Sequence, residues 1–201
     1  AAALPGNFVA LSGDVSQLDE LERLVDDASN GALITDVVHA AGVQVRKAAV
    51  EVTPSDWQAI ARVNLEGPFF LSTSVARRQL DAGEPGSHVF VASLGTSLGI
   101  RHIAPYVATK SGVMGIVRTL ALEWATAGIR VNAIAPGYFE TSLTSDLLAD
   151  PGQRARVISR IAMGRLGIPD DLAGATIFLL SQASTYVTGQ LLNVDGGWLA
   201  G

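Results

Sequence analysis

The chain of 201 residues has no cysteine, only 16% charged residues and only 6% aromatic residues. Without cysteine there is neither a disulfide framework nor a thiolate metal site, which fits a reducing cytoplasm. The three histidines, His39, His88 and His102, do not have the spacing of a metal site, so we expect no metal. Polar residues, Gly or Pro interrupt every apolar run well before the roughly 18 residues that span a membrane. We therefore expect a cytoplasmic protein with no membrane partner.

The charge balance excludes another class of partner. The formal net charge is -5, the isoelectric point is near 5.1, and the basic residues are scattered along the chain. Nucleic-acid-binding proteins usually carry a basic patch, so we expect no nucleic acid partner and a small-molecule substrate instead. The hydrophobic content of 48% and the mean hydropathy of +0.33 allow a substantial core in a single domain over residues 1–201.

Short apolar stretches alternate along the chain with helix-length periodic segments, which is typical of βαβ units around a parallel sheet. The predicted fold class is therefore α/β, a Rossmann-like doubly wound parallel sheet in one domain. Segment 141–167, rich in Asp, Arg, Gly and Pro, is named the flap here; it is either a mobile cover over the ligand crevice, with a short helix, or an ordinary surface connection. The predicted strands lie near 7–11, 34–38, 87–92, 129–134 and 190–194, and the helices near 17–29, 54–80, 104–127 and 169–182.

The strongest chemical signal is Y-V-A-T-K at 106–110, with Ser93 thirteen residues upstream. At i and i+4 on one helix, Tyr106 and Lys110 share a face, so the ammonium group can stabilise the phenolate and lower its pKa, ordinarily about 10. Ser93 ends a predicted buried strand, and the carboxyl ends of such strands form the ligand crevice of a doubly wound sheet. These residues together predict proton transfer to or from a carbonyl oxygen. The alternative is an ordinary solvated Tyr–Lys pair.

A proline lies inside the long helix predicted at 54–80. Pro68 has no N–H to donate to the carbonyl of Asn64, so we expect a kink there and a free carbonyl that can hold a water molecule. A break that serves packing alone is the alternative. Near its start the same helix has a clear cap, with Thr53 before Pro54 and an acidic residue two positions further on.

Seven motifs together resemble the short-chain dehydrogenase/reductase family across the whole chain: S-G-D-V (12–15), H-A-A-G (39–42), V-N-L-E-G (63–67), Ser93, Y-V-A-T-K (106–110), R-V-N-A-I-A-P-G-Y-F-E-T (130–141) and V-T-G-Q-L-L-N-V-D-G-G-W (187–198). The resemblance implies an oxidoreductase that interconverts a secondary alcohol and a ketone with NAD or NADP. It implies that Tyr106 is the acid/base, Lys110 lowers its pKa, Ser93 orients the carbonyl and Asn64 supports a proton-relay water. The cofactor-binding residues that it implies are Asp14, Val15, Ala40, Ala41, Gly42, Tyr106, Lys110, Pro136, Gly137, Phe139 and Thr141.

One departure from the family pattern is large. The N-terminal glycine fingerprint that seats the pyrophosphate is absent, since no two of the 21 glycines are arranged as G-x-G. By resemblance the chain starts at the third strand, and we expect that the functional polypeptide has roughly fifty residues before Ala1 that carry the first two strands. The residue that selects NAD or NADP would lie there. H-A-A-G also replaces the commoner N-N-A-G, so Ala40 keeps only a backbone contact.

The C-terminal half is most similar to the sugar-acid branch of the family, the gluconate dehydrogenases, which implies a sugar acid or keto-sugar substrate. A substrate carboxylate needs a cation, and the candidates are Arg101, His102, Arg154 and Arg156, although surface arginines are usually only solvated. Two alternatives stay open. One is a 3-oxoacyl-[acyl-carrier-protein] reductase, and the other is a non-catalytic remnant of the same fold.

The helices predicted at 54–80 and 104–127 carry more apolar residues than one sheet face can cover. The resemblance pairs these helices between subunits, so we expect a homotetramer. The apolar residues expected to contribute are Phe69, Phe70, Val117, Leu120 and Trp124.

Overall fold

The computed structural model describes residues 9–201, which form a four-stranded parallel sheet with helices on both faces. The strands are β1 Asp36–His39, β2 Gly86–Val91, β3 Ile129–Pro136 and β4 Leu191–Val194, and they lie side by side in that order. The α-helices are α1 Leu21–Ser29, α2 Pro54–Ala61, α3 Gly67–Ala82, α4 Ala104–Trp124, α5 Ser145–Ala149, α6 Pro151–Arg160 and α7 Asp170–Leu180. Short 3-10 helices occupy Leu18–Glu20, Ala49–Glu51, Leu94–Thr96, Ala125–Ala127, Gln182–Ser184 and Trp198–Ala200.

The two faces of the sheet bury different helices, because side chains alternate along each strand. Phe90 and Val131 lie in the cluster that packs against α3 and α4, whereas Val89 and Ile134 lie in the cluster that contains Leu179 of α7. Both faces are thus covered, which explains why apolar residues of the central strands are buried on either side of the sheet. This is the doubly wound α/β arrangement that the sequence predicts.

The long helix predicted at 54–80 is divided by a π-helical turn at Arg62–Glu66, which separates α2 from α3. The Gly67 N–H donates to the Arg62 carbonyl, one residue further back than in an α-helix. The turn lies immediately before Pro68, so it takes the place of the expected kink. At the other end of α2, Thr53 and Asp56 form a reciprocal cap, with Pro54 in the first turn.

Most predicted elements are found within a few residues of their expected positions. The strand predicted at 7–11 lies partly outside the described residues, and residues 9–11 are not in a strand. The flap contains two helices, α5 and α6, where the sequence suggested at most one short helix. The reason is a cap in the sequence D-P-G-Q: the Asp150 carboxylate accepts a hydrogen bond from Gln153 N at 2.7 Å, and Pro151 occupies the first turn.

The apolar surface of α3 and α4 differs from the expectation. Val117, Leu120 and Trp124 are buried within the chain, at 0%, 4% and 7% exposure, because they pack on the α3/α4 face of the sheet. Phe69 is partly buried against the same cluster, and Phe70 is 46% exposed. Three of the five residues expected at a subunit contact are therefore core residues.

Candidate active site

The carboxyl ends of β1, β2 and β3 open into a cavity of about 390 Å³, named here the Tyr106 cavity. One wall comes from the loop after β1, a second from the segment after β2 and from α4, and a third from the segment after β3 and from the flap. This is the crevice that a doubly wound sheet is expected to form. Its lining includes Ala40, Gly42, Gln44, Arg46, Ser93, Tyr106, Lys110, Pro136, Gly137, Tyr138, Phe139, Glu140, Thr141 and Leu143.

Ser93 is held in place by the short 3-10 helix that follows it. Its hydroxyl accepts a hydrogen bond from Gly95 N at 3.2 Å. The same short helix is bonded to α4, since the Ser111 hydroxyl donates to the Gly95 carbonyl at 3.3 Å. Ser93 therefore occupies a fixed position relative to Tyr106, which lies in the first turn of α4.

Tyr106 and Lys110 lie one turn apart on α4, but their electrostatics differ from the expectation. Lys110 is 4% exposed, and its ammonium donates to the Val91 carbonyl at 2.6 Å and lies 5.8 Å from the centroid of the Tyr106 ring. Burial lowers the pKa of Lys110 to about 8. Burial also raises the pKa of Tyr106, and the Ser93 hydroxyl partly opposes that rise. The expected lowering of the Tyr106 pKa by Lys110 is not found in this arrangement.

Asn64 lies in the π-helical turn and is 1% exposed. Its side-chain oxygen accepts from Val43 N at 2.8 Å, and its amide nitrogen donates to the Val43 carbonyl at 2.9 Å and to the Thr109 hydroxyl at 3.3 Å. These bonds join the loop after β1 to the residue that precedes Lys110. Because Pro68 has no N–H, the main-chain carbonyl of Asn64 lacks its usual donor four residues ahead.

The residues implied for cofactor binding fall into two groups. Eight of them line the Tyr106 cavity, and the remaining three, Asp14, Val15 and Ala41, do not. Asp14 and Val15 lie before α1, where the Asp14 carboxylate accepts from Ser16 N at 2.9 Å. The Val15 carbonyl packs on the start of α3, since an added Cβ at Gly67 would lie only 2.4 Å from it.

None of the four expected cations lines the Tyr106 cavity. Arg154 is instead paired with Glu140 of the cavity wall at 3.1 Å. Besides Lys110, the cation that lines the cavity is Arg46, which sequence reasoning missed together with Gln44 and Tyr138. The signal for Arg46 was its place in V-Q-V-R, within the loop that follows β1, because loops at the carboxyl ends of the strands border the crevice.

Within residues 9–201, no group of three or more His, Asp or Glu residues is arranged to hold a metal ion. Over the same residues, no helix combines the length and the apolar character needed to cross a membrane.

Comparison with known proteins agrees with this geometry. A family model described as "Enoyl-(Acyl carrier protein) reductase" matches residues 1–199. The chain is 40% identical over 199 residues to 2-dehydro-3-deoxy-D-gluconate 5-dehydrogenase of Escherichia coli strain K12, covering 98% of this chain and 79% of the relative. The corresponding Bacillus subtilis strain 168 protein is 36% identical over 193 residues, covering 96% of this chain and 76% of the relative.

A solved structure of gluconate 5-dehydrogenase from Burkholderia cenocepacia J2315, in complex with NADP and tartrate, has a TM-score of 0.90 and 37% identity to this chain. The match covers 94% of this chain and 74% of that one. The chain belongs to the short-chain dehydrogenase/reductase family, and it is an NAD(P)-dependent oxidoreductase.

Proposed function

We propose that this oxidoreductase interconverts a secondary alcohol and a ketone on a sugar acid, with NADP(H) as its cofactor. The observation that carries the substrate class is Arg46. Its guanidinium lines the Tyr106 cavity, and among residues 9–201 no carboxylate lies within ion-pair distance of it. The guanidinium makes a long hydrogen bond, at 3.5 Å, to the Arg101 carbonyl, and no carboxylate of the described residues balances its charge. Such an arginine is suited to a substrate carboxylate, which it can bind through two parallel hydrogen bonds. The names of the two curated relatives, and NADP and tartrate in the Burkholderia structure, support the same assignment.

Tyr106 is the proposed proton donor to the carbonyl oxygen in the reduction direction and the proton acceptor in oxidation. Because burial raises its pKa, the phenol is protonated near neutral pH, and this is the form that reduction requires. Ser93, whose hydroxyl adjoins that of Tyr106, donates a hydrogen bond to the same substrate oxygen. When bound, the nicotinamide cofactor supplies or accepts the hydride.

Lys110 and Asn64 are the proposed route for proton exchange with solvent. Lys110 is a buried cation with a pKa of about 8, so it can give up and recover a proton near neutral pH. The main-chain carbonyl of Asn64 lacks a donor at Pro68 and is suited to hold the water that relays protons to Lys110.

The described residues fit the nicotinamide end of the cofactor. An added Cβ at Gly42 would contact the Lys110 ammonium nitrogen at 3.7 Å, so the glycine leaves free the room beside that group which a side chain would occupy. Lys110 and Tyr106 would hold the nicotinamide ribose there, and the Pro136–Thr141 segment would contact the nicotinamide through Pro136, Gly137, Phe139 and Thr141. Asp14, Val15, Ala40, Ala41 and Gly42 are the proposed contacts for the adenosine half.

A substrate comparison tests this function. Purified protein is assayed with NADPH and NADH against 5-keto-D-gluconate, the neutral ketose D-fructose and an acetoacetyl thioester. We expect reduction of the keto acid with a preference for NADPH. Preference for the thioester would favour the 3-oxoacyl-[acyl-carrier-protein] reductase alternative. Failure to bind either cofactor would favour the non-catalytic remnant.

The Arg46→Met variant tests the carboxylate contact. Loss of a charge-assisted pair should raise the KM for the keto acid by about tenfold or more, while the activity on the neutral ketose stays unchanged. Arg156→Met is the matched control, since Arg156 is an exposed arginine that does not line the Tyr106 cavity. An equal loss on both substrates would contradict a carboxylate-binding role.

We also propose that the chain assembles as a homotetramer, in which a second copy covers the groove between α3 and α4. The groove contains Phe69, Leu80 and Ile116, and Phe70 and Leu122 are exposed on the same two helices at 46% and 83%. Exposed apolar side chains on neighbouring helices favour a self-complementary contact. Sedimentation should give a tetramer for the wild type and a smaller species for Leu80→Glu. A wild-type monomer at micromolar concentration would contradict the assembly.

A further inference from the structure

Trp198 lies in a closely held turn after β4 and is 5% exposed. The Asp195 carboxylate accepts hydrogen bonds from Gly197 N at 2.9 Å and from Leu199 N at 3.1 Å, which fixes the turn on both sides of the tryptophan. The turn fits tightly against the residues that follow α6, since an added Cβ at Gly197 would lie 2.7 Å from the Ala162 Cβ. The position of the indole ring is therefore set by the backbone around it.

The indole ring contacts both the flap and the wall of the Tyr106 cavity. Its centroid lies 4.6 Å from that of Tyr138, which lines the cavity. The guanidinium carbon of Arg160, the last residue of α6, lies 4.3 Å from the indole ring centroid. Trp198 thus joins the end of the flap helix to a side chain that lines the Tyr106 cavity.

Apolar packing around Trp198 involves the same two parts of the molecule. Leu148 of α5 and Val157 of α6 belong to one buried cluster with Trp198, and so does Leu94, which lines the Tyr106 cavity. The indole N–H of Trp198 has no hydrogen-bond partner among the described residues. Packing and ring contacts, rather than a polar anchor, therefore link the ring to its surroundings.

We propose that Trp198 is a positioning residue that holds the flap against the Tyr106 cavity, through its contacts with Arg160 on one side and Tyr138 on the other. The proposal rests on the proposed function only in that the Tyr106 cavity receives the substrate. A tilted pair of aromatic rings and a guanidinium beside an indole ring are both attractive contacts. Loss of the ring removes this aromatic contact between α6 and the cavity wall and leaves only the exposed Arg154–Glu140 pair among the polar contacts described between them. The substrate then binds less tightly, while the proton-transfer residues on α4 stay in place.

Steady-state kinetics with 5-keto-D-gluconate and NADPH test the effect on the substrate. For Trp198→Ala we expect the KM for the keto acid to rise about tenfold or more, with kcat and the dissociation constant of NADPH changed less than about twofold. Trp198→Phe should restore most of the affinity. Arg160→Met is a second variant, for use if Trp198→Ala does not fold, and it should raise the KM by about threefold. Arg156→Met, on the same helix, is the control and should leave the KM unchanged. Equal losses in NADPH binding and in substrate binding would overturn the proposal.

Hydrogen exchange tests the same contact without any substrate, so its outcome does not depend on the sugar-acid assignment. In Trp198→Ala and Arg160→Met, amides of α5 and α6 should exchange faster than in the wild type, whereas amides of α4 should be unchanged. Trp198→Phe should lie close to the wild type. Unchanged exchange in α5 and α6, or equal acceleration in α4, would overturn the positioning role even if sugar acids prove to be substrates. If α5 and α6 exchange faster in the variants as expected, but the protein has no activity on sugar acids, only the proposed function is refuted.

Discussion

Replacement of Lys110 by methionine should make the protein more stable while it abolishes activity. Lys110 is 4% exposed, and among residues 9–201 no carboxylate pairs with it. Burial lowers its pKa from 10.5 to about 8, which means that the folded state disfavours the charged form by about 3 kcal/mol. Methionine removes this cost, but it also loses the hydrogen bond to the Val91 carbonyl, which destabilises the folded state by about 1 kcal/mol. The expected net gain near neutral pH is about 2 kcal/mol.

The pH dependence of this gain follows from the same two pKa values. Below pH 8 the lysine is charged in both the folded and the unfolded state, so the cost is fully present in the wild type. Above pH 10.5 it is neutral in both states, and no cost remains. The stability advantage of Lys110→Met should therefore shrink as the pH rises from 8 to 10.5.

Urea unfolding of the cofactor-free proteins at several pH values measures this effect, and steady-state rates on the same samples measure activity. Lys47→Met is the matched control, because Lys47 is paired with Asp56 at 2.7 Å and its side chain is 38% exposed. That variant should gain no stability. A Lys110→Met protein that is less stable than the wild type near neutral pH, or whose advantage is the same at every pH, would refute the reasoning.

Three further predictions concern single contacts. Tyr106→Phe should lower the rate by about 10² to 10⁴ with an unchanged circular dichroism spectrum, and a rate within about threefold of the wild type would exclude its acid/base role. Gly137→Ala should lower the melting temperature markedly, since its Cβ would lie 2.6 Å from the Asp195 Cα; an unchanged melting temperature would argue against this packing. Arg130→Met should lower the free energy of unfolding by on the order of 3 kcal/mol, because its guanidinium donates to the Leu179 carbonyl at 2.6 Å and to the Ser184 hydroxyl at 2.8 Å. Urea unfolding measures this loss, and an unchanged free energy of unfolding would contradict the role of these bonds.

The parts of the fold that follow a regular pattern could be predicted from the sequence. The central strands are buried on both faces, so they read as short, mostly apolar stretches between turn residues. The apolar residues of α4 recur with the 3.6-residue period of a helix. The flap could not be predicted in the same way, because its Gly, Pro and Asp content resembles a loop. Only the Asp150 cap and Pro151 in the first turn mark the start of α6 in the sequence, and a signal of two residues does not by itself predict a helix.

The candidate site was partly predictable for a similar reason. Ser93, Tyr106 and Lys110 come together because strand ends and helix starts meet at one edge of the sheet. Arg46 was not predicted, because its place in the cavity depends on how the loop after β1 folds back over the strand ends. The direction in which the Lys110 ammonium points was also beyond the sequence, since i,i+4 spacing brings two side chains close without choosing their hydrogen-bond partners.

The π-helical turn combines a feature that the sequence predicts with one that only the folded structure shows. Pro68 predicts that the helix cannot continue regularly past Asn64, and the structure accommodates it by inserting a wider turn rather than by ending the helix. The Asn64 side chain makes three hydrogen bonds, two to the backbone of Val43 and one to Thr109. An exchange of its amide oxygen and nitrogen would break both bonds to Val43, so its orientation is determined. A buried asparagine within this irregular turn therefore fixes the loop after β1 to α4, one residue before Lys110.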